Sequence, residues 1–267
     1  MPKRSTLRPE AAASAPVRIR RGYFETRFGQ LHVQHAIPGG GGFEEGTPLL
    51  ALHPATHSGR LFTALLTALG RDRSAFAPDL PGFGESDAPD GLPIAEQAAG
   101  IGDFLDAMRL RHVDLLGCGL GARVALELAA TRPAVRRLVI AALPEDEMPS
   151  PPKSADDADA YLRAVWTGAR RDCGIDAPPA MVIAACAERL RNAARAAGAT
   201  QDYPLRNRLS AISQPLLVLH APEWPREAGI SAADLPAHAR RTPCRDLPQL
   251  QRAPQPIVTA IHDFLIA

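Results

Sequence analysis

The sequence is poor in cysteine, in aromatic residues and in long apolar runs. Its 267 residues include four cysteines, none in CxxC spacing, and aromatic residues make up 5% of the chain. So few unclustered cysteines argue against a disulfide-dense secreted scaffold and predict reduced thiols in a cytoplasmic protein. The low aromatic content argues against a surface that stacks nucleic-acid bases or sugars. No window approaches roughly eighteen uninterrupted apolar residues, the length that is typical of a membrane-spanning helix.

Charge of one sign is also lacking. Thirty basic residues stand against 29 acidic residues, for a net charge of +1, and no block of like charge interrupts the sequence. We therefore expect neither nucleic acid nor a membrane as a partner. The basic N-terminal segment, residues 1–17, has no continuous apolar stretch, so it predicts a disordered tail and not a secretory signal.

What the sequence does contain is a regular alternation of short apolar runs and helix-forming segments. Runs such as "LLALH" and "HVDLLGC" predict buried strands, and the segments that follow them carry helical periodicity. Strands that alternate with helices form parallel βαβ units, so we predict an α/β fold with a doubly wound, mostly parallel sheet. The alternation breaks at residues 145–212, which predict a helical insertion between core segments 18–144 and 213–267.

Three motifs follow predicted strands in a fixed order. They are "LLALHPATHSG", "APDLPGFGESD" and "VDLLGCGLGARVALELAA", and the last has the outline of a strand–turn–helix elbow. In this order and spacing the chain resembles the α/β-hydrolase fold superfamily, in its branch of esterases and carbon–carbon bond hydrolases, over residues 21–267. The resemblance implies an α/β-hydrolase core whose insertion forms a helical cap. It also implies an elbow nucleophile, a histidine base, an acid that orients the histidine, and two backbone oxyanion donors.

Each side chain of that machinery is replaced at the position that the resemblance implies. The elbow pattern G-x-S-x-G aligns with "GCGLG", which puts Gly119 at the nucleophile position. The acid position falls on Trp224, with Glu223 one residue earlier as an alternative. The histidine position falls on Asp246, in "RDLPQLQRAPQP". A carboxylate is a weak base for a hydroxyl near neutral pH, because carboxyl groups ordinarily titrate around pH 4.

Two other side chains are alternatives for chemistry. Cys118 lies one residue before the elbow apex, where it is either a nucleophile or a buried structural thiol. His57, in "HPATHSG", is either a general base, a ligand for an anion, or a solvated loop residue.

The oxyanion hole and the mouth of the pocket are also implied by the resemblance. The backbone donors would belong to Leu120 and Ala55, and the preceding Pro54 has no N–H to offer. His53 and Ser58 lie in the same loop, with His53 in a loop-stabilising role.

The joint replacement of all three positions predicts loss of Ser-type acyl-enzyme hydrolysis. Our first hypothesis is a non-catalytic relative that binds a small apolar or acyl ligand between core and cap. The second is an active hydrolase or lyase that acts on an ester or a carbon–carbon bond through His57, Glu223 or Asp246. The third is a protein-interaction module on an inactive scaffold. No metal-ligand spacing or nucleotide motif occurs, so we expect no metal and no cofactor, and a homodimer is left open.

Overall fold

Eight strands form one sheet in a computed structural model of the protein. The model describes residues 16–38, 46–142, 152, 154, 157–174, 176–196, 203–222 and 231–267. The strands are β1 (Arg20–Thr26), β2 (Gly29–Ala36), β3 (Gly46–Leu52), β4 (Arg73–Pro78), β5 (Val113–Cys118), β6 (Val135–Ala142), β7 (Leu216–His220) and β8 (Arg240–Pro243). Their order in the sheet is β1-β2-β4-β3-β5-β6-β7-β8. β2 pairs antiparallel with both β1 and β4, and every other pair of neighbours is parallel.

Helices cover both faces of this sheet. They are α1 (Thr63–Leu69), α2 (Ile94–Ala107), α3 (Leu120–Thr131), α4 (Ala158–Cys173), α5 (Pro179–Ala196), α6 (Leu205–Ser210), α7 (Leu247–Arg252) and α8 (Gln255–Ile266). α2 and α3 share one buried apolar cluster with the sheet, while α1, α7 and α8 share a second cluster. Alternate strand residues point to opposite faces, so Leu115 joins the first cluster and Leu116 the second. The predicted α/β class with a doubly wound, mostly parallel sheet is confirmed.

Most strands lie where the apolar pattern predicts them, but β8 was not predicted. Its sequence, "RRTP", has no apolar run, and three of its four residues are exposed. It is a strand because its backbone extends the sheet beside β7, from the pair Leu217↔Arg240 to the pair His220↔Pro243. Tertiary pairing, and not local propensity, decides this element.

α4 and α5 occupy the predicted insertion and pack against each other, and we refer to them as the α4–α5 pair. Their small apolar cluster is built on Ala169, Cys173 and Val182. Residues 1–15 of the predicted tail and 143–151 lie outside the described residues. No helix in the described part of the chain is long and apolar enough to cross a membrane.

Candidate functional site

The elbow predicted from "GCGLG" is present in the structure. β5 ends at Cys118, Gly119 turns the chain with φ 57° and ψ −119°, and α3 begins at Leu120. Residues with a side chain adopt this backbone conformation only under strain, whereas glycine adopts it readily. The apex of the elbow is therefore occupied by a residue that suits the turn but carries no reactive group.

The two flanking glycines are required by packing. A Cβ on Gly117 would lie 2.5 Å from the carbonyl oxygen of Gly121, and a Cβ on Gly121 would lie 2.1 Å from that of Leu52. The Gly121 N–H also donates to the His53 carbonyl oxygen at 3.0 Å. Helix α3 thus approaches β3 and β5 closely only because positions 117 and 121 lack side chains.

Cys118 is buried on the face of the sheet that α1 and α8 cover. It is 1% exposed and belongs to the same apolar cluster as Leu116 and Val139. A thiol inside an apolar cluster behaves as a small hydrophobic side chain. Its placement is that of a structural residue.

His53 ties the loop after β3 to the loop after β4. Its Nε2 accepts the Leu80 N–H at 2.8 Å, and its Nδ1 donates to the carbonyl oxygen of Pro54 at 2.8 Å. The ring is fully buried, and burial lowers the pKa of His53. Both ring nitrogens are used in these bonds, which supports the predicted loop-stabilising role.

The two predicted oxyanion donors, Leu120 and Ala55, lie in different local structures. Leu120 is the first residue of α3, and N–H groups in the first turn of a helix have no acceptor within that helix. Ala55 lies in a turn closed by a 3.0 Å bond from the His57 N–H to the Pro54 carbonyl oxygen. Leu120 therefore has a donor to offer by its place in the helix, and Pro54, the residue before Ala55, has none.

The "DLPGFGES" turn is organised by Asp79. Its carboxylate accepts the N–H groups of Gly59 at 2.8 Å and Glu85 at 2.9 Å, and it lies 3.0 Å from Nδ1 of His32. Gly84, at φ 56°, makes room for it, since a Cβ there would lie 2.2 Å from a carboxylate oxygen. Burial acts to raise the pKa of Asp79, but the hydrogen bonds prevail and the pKa is lowered. Asp79 is a charged, fully engaged structural group.

His57 lies in a buried polar cluster. Its Nδ1 is 2.7 Å from Oγ1 of Thr56, and its Nε2 is 3.3 Å from Oδ2 of Asp172 in α4. Arg189 of α5 donates to the same oxygen from Nε at 2.9 Å. Burial, together with the charge of Arg189, lowers the pKa of His57 to about 3, so the ring is neutral near neutral pH. With 5% of its surface exposed, His57 is not the solvated loop residue that was one of the alternatives.

A second set of polar contacts joins the same loop to α5. Ser58 Oγ donates to Glu188 at 2.8 Å, and the Asn192 amide donates to the His57 carbonyl oxygen at 2.9 Å. Asn192 Oδ1 accepts the Gly84 N–H at 3.2 Å, so one side chain bridges the loops after β3 and β4. Both loops are therefore fixed to the α4–α5 pair.

Asp246 is the N-cap of α7. Its Oδ1 accepts the Gln249 N–H at 2.8 Å, and its Oδ2 lies 3.1 Å from Nε of Arg245. A carboxylate in this position satisfies one of the free N–H groups at the start of the helix. In the described part of the chain Asp246 forms no hydrogen bond or ion pair with His57. The structure thus does not bring these two candidates together.

A cavity of about 730 Å³ lies where the α4–α5 pair meets α7. Its charged lining residues are Arg170, Arg171, Asp176, Arg245, Asp246 and Arg252. Gly119 and His57 are not among its lining residues.

The acid position stays a prediction, because Glu223 and Trp224 lie outside the described residues. Among the residues that the structure does describe, no group of three or more His, Cys, Asp or Glu side chains is arranged to hold a metal ion.

The polar contacts made by α4 and α5 were not predicted from the sequence, although the sequence contains a signal for them. Asp172 follows Val165 by seven residues, and Arg189 follows Val182 by seven, so each lies on the buried face of its helix. A charged residue on an apolar helix face indicates a buried partner.

The chain is similar to known proteins in both sequence and structure. A model of the alpha/beta hydrolase family matches residues 49–263. Over 101 residues the chain is 33% identical to 2-hydroxy-6-oxo-2,4-heptadienoate hydrolase of Pseudomonas putida, covering 36% of this chain and 37% of that protein. Over 104 residues it is 33% identical to 2-hydroxymuconate semialdehyde hydrolase of Pseudomonas sp. strain CF600, covering 36% of each. The chain therefore spans little more than a third of the length of these curated relatives.

A solved structure covers far more of the chain. The crystal structure of a hydrolase from Pseudomonas aeruginosa PA01 is similar with a TM-score of 0.69 and 25% identity, covering 92% of this chain and 98% of that one. The family match runs from β3 into α8 and includes the elbow, both loops and α7. The chain belongs to the alpha/beta hydrolase family.

Proposed function

We propose that this chain is a ligand-binding member of the alpha/beta hydrolase family that does not form an acyl-enzyme at its elbow. The observation that carries the proposal is Gly119, which stands at the apex and has no side chain to attack a substrate. An acyl-enzyme needs a nucleophilic side chain at that point, with a base within hydrogen-bond reach.

The neighbouring candidates for a base support the same conclusion. His53 uses both ring nitrogens in backbone contacts. Asp246 caps α7 and pairs with Arg245. Groups already held in this way are poorly placed to take a proton from a nucleophile.

We assign the ligand to the space between the core and the α4–α5 pair. The cavity there, about 730 Å³, has the size of a small-molecule site. The two curated relatives are a heptadienoate hydrolase and a semialdehyde hydrolase, whose names refer to small compounds. A small acyl ligand is therefore favoured over a polymer, and an open cavity speaks against a purely protein-interacting module.

The proposal is tested by labelling the purified protein with a fluorophosphonate and by measuring its melting temperature with short acyl compounds. We expect no label on wild type, no hydrolysis of short aryl esters, and a rise in melting temperature with at least one acyl compound. Labelling by the fluorophosphonate that disappears in Cys118→Ala, but not in the control Cys173→Ala, would contradict the proposal and make Cys118 the nucleophile.

One observation favours a second candidate function, hydrolysis or lyase chemistry through His57. The Thr56 hydroxyl, the His57 ring and the Asp172 carboxylate follow one another at 2.7 and 3.3 Å, the sequence of groups found in catalytic triads. This candidate predicts turnover of an ester or carbon–carbon substrate that Thr56→Val abolishes and Thr67→Val, at an exposed position of α1, leaves unchanged. The low exposure of Thr56 and His57, 9% and 5%, counts against it, since a substrate must reach the hydroxyl.

A further inference from the structure

The cavity between the α4–α5 pair and α7 gathers four arginines from two distant parts of the chain. Arg170 and Arg171 belong to the last turn of α4. Arg245 precedes α7, and Arg252 is its last residue. Arg170, Arg171 and Arg252 lie at helix C-termini, where the dipole favours a cation only weakly, by roughly 0.3–1 kcal/mol at exposed sites, and Arg245 lies at the N-terminal end of α7, where the dipole disfavours it. Helix-end electrostatics does not account for their convergence on one cavity.

The lining of the cavity carries a net positive charge. Its four arginines face two aspartates, Asp176 and Asp246, and Asp246 is already paired with Arg245. Burial raises the pKa of Asp172, and the charge of Arg171 acts against that rise. Among the residues that the structure describes, Arg170 and Arg252 form no ion pair. Their guanidinium groups, which present donors in a planar fork, are thus open to an anion.

The rest of the lining is apolar. Cys173, Ala177, Met181 and Pro248 supply side chains without charge, and Cys173 and Pro248 are buried. A volume of about 730 Å³ exceeds what a bare inorganic anion fills. The cavity therefore combines a cationic side with an apolar side.

We infer that this cavity binds a small carboxylate with a short hydrocarbon body, with the carboxylate held by Arg170 and Arg252. The inference rests on the proposed function, since it names the chemical class of the acyl ligand. The hydrocarbon body lies against Met181 and Pro248. Charge-assisted bonds to two guanidinium groups supply affinity, and the apolar side supplies selectivity over inorganic anions.

The test is calorimetric titration of the full chain with hexanoate, its neutral analogue hexanamide, and inorganic phosphate. We expect hexanoate to bind at least about tenfold more tightly than either of the others. Raising NaCl from about 0.05 M to about 0.5 M should weaken hexanoate binding, because exposed charges are screened.

The variants are Arg170→Gln with Arg252→Gln, and Arg206→Gln as the matched control. Arg206 lies on α6 outside the cavity and is 71% exposed. We expect the double variant to lose at least about tenfold in affinity for hexanoate and the control to stay within about twofold. All three arginines are exposed, so melting temperatures without ligand should be unchanged.

Each other outcome overturns the inference in its own way. If hexanoate and hexanamide bind equally and the double variant changes neither, the carboxylate is not what the cavity recognises, and the proposed acyl-binding function is unaffected. If phosphate binds as tightly as hexanoate, the hydrocarbon body does not contribute to selectivity, and the inference is wrong. Failure of every probe to bind overturns the inference and deprives the proposed function of its ligand, whereas fluorophosphonate labelling overturns the proposed function alone.

Discussion

The buried charged groups near the two ends of strand β5 differ in whether they have hydrogen-bond and ion-pair partners. Beyond its carboxyl end, His57, Asp172 and Arg189 form a connected set in which each buried group has a partner. At its amino end, Asp114 is fully buried, and neither of its carboxylate oxygens makes a hydrogen bond of good geometry. The nearest cation, Nη1 of Arg73, lies 3.8 Å away and is itself without a hydrogen-bond partner.

The comparison shows which buried charges stabilise this fold and which strain it. The connected set holds the α4–α5 pair on the loop after β3, and removing one member takes a buried hydrogen-bond or ion-pair partner from the others. An unsatisfied carboxylate instead costs stability whenever it is ionised. Burial raises the pKa of Asp114 to about 6, although nearby arginine charges act against this rise.

The largest expected effect comes from breaking the connected set. Asp172→Ala removes the carboxylate that both His57 and Arg189 contact, and because Arg189 is only 2% exposed we expect a loss of about 3–5 kcal/mol in the free energy of unfolding. The control is Asp106→Ala, which removes a surface partner of Arg132 and should cost about 1 kcal/mol or less. Denaturant unfolding measures both, and equal losses would contradict the distinction between the two kinds of pair.

The next effect has the opposite sign. Asp114→Asn removes an ionised carboxylate, and from its pKa we expect about 3 kcal/mol of added stability at pH 7. The pKa of Asp114 in the folded protein, about 6, lies above its unfolded value of 3.8. Its contribution to the free energy of unfolding is therefore favourable below pH 3.8 and is lost as pH rises through about 6.

Denaturant unfolding at two pH values tests this reasoning. The gap between Asp114→Asn and wild type should be present at about pH 7 and absent at about pH 4. A gap of the same size at both pH values would show that the charge of Asp114 is not its cause. Asp263→Asn, at a side chain 67% exposed, serves as the control and should leave stability unchanged.

The smallest of the three effects concerns the pH dependence of the connected set. The folded pKa of His57, about 3, lies below its ordinary value of 6.5. Its contribution to stability is therefore present above pH 6.5 and is lost as pH falls toward 3.

Between about pH 6.5 and 5, wild type should lose about 2 kcal/mol of stability that His57→Gln does not lose. Unfolding by denaturant across that range measures the difference in slope. Equally steep losses in the two proteins would mean that His57 is not held neutral in the folded state.

The fold could be predicted from the sequence to a large extent because strand and helix periodicities are local properties. The run "HVDLLGC" and the helix after it specify β5, the elbow and α3 without reference to the rest of the chain. β8 could not be predicted in this way, since "RRTP" becomes a strand only beside β7. The same limit applies to the connected set, whose members come from a loop and two helices.

The roles of the candidate site residues stay predictions, and the side chains that surround them were not predicted from the sequence. Gly119 and Asp246 lie at the elbow apex and at the start of α7, as the motifs indicate. The apolar face of α4 could have identified Asp172, because that residue stands at a helical spacing from buried Val165. No local pattern could have joined Arg170 to Arg252, which only the packing of α4 near α7 places around one cavity.

The close approach of Gly121 to the Leu52 carbonyl has a consequence for reading such sequences. Selection for correct folding alone would retain the glycines at 117 and 121, because any side chain there would push α3 away from the sheet. The glycine pattern of an elbow can therefore be retained in a chain that has no nucleophile at the apex. In this protein the spacing of Gly117 and Gly121 indicates close packing of α3 on the sheet. Whether the elbow has a nucleophile depends only on the residue between them.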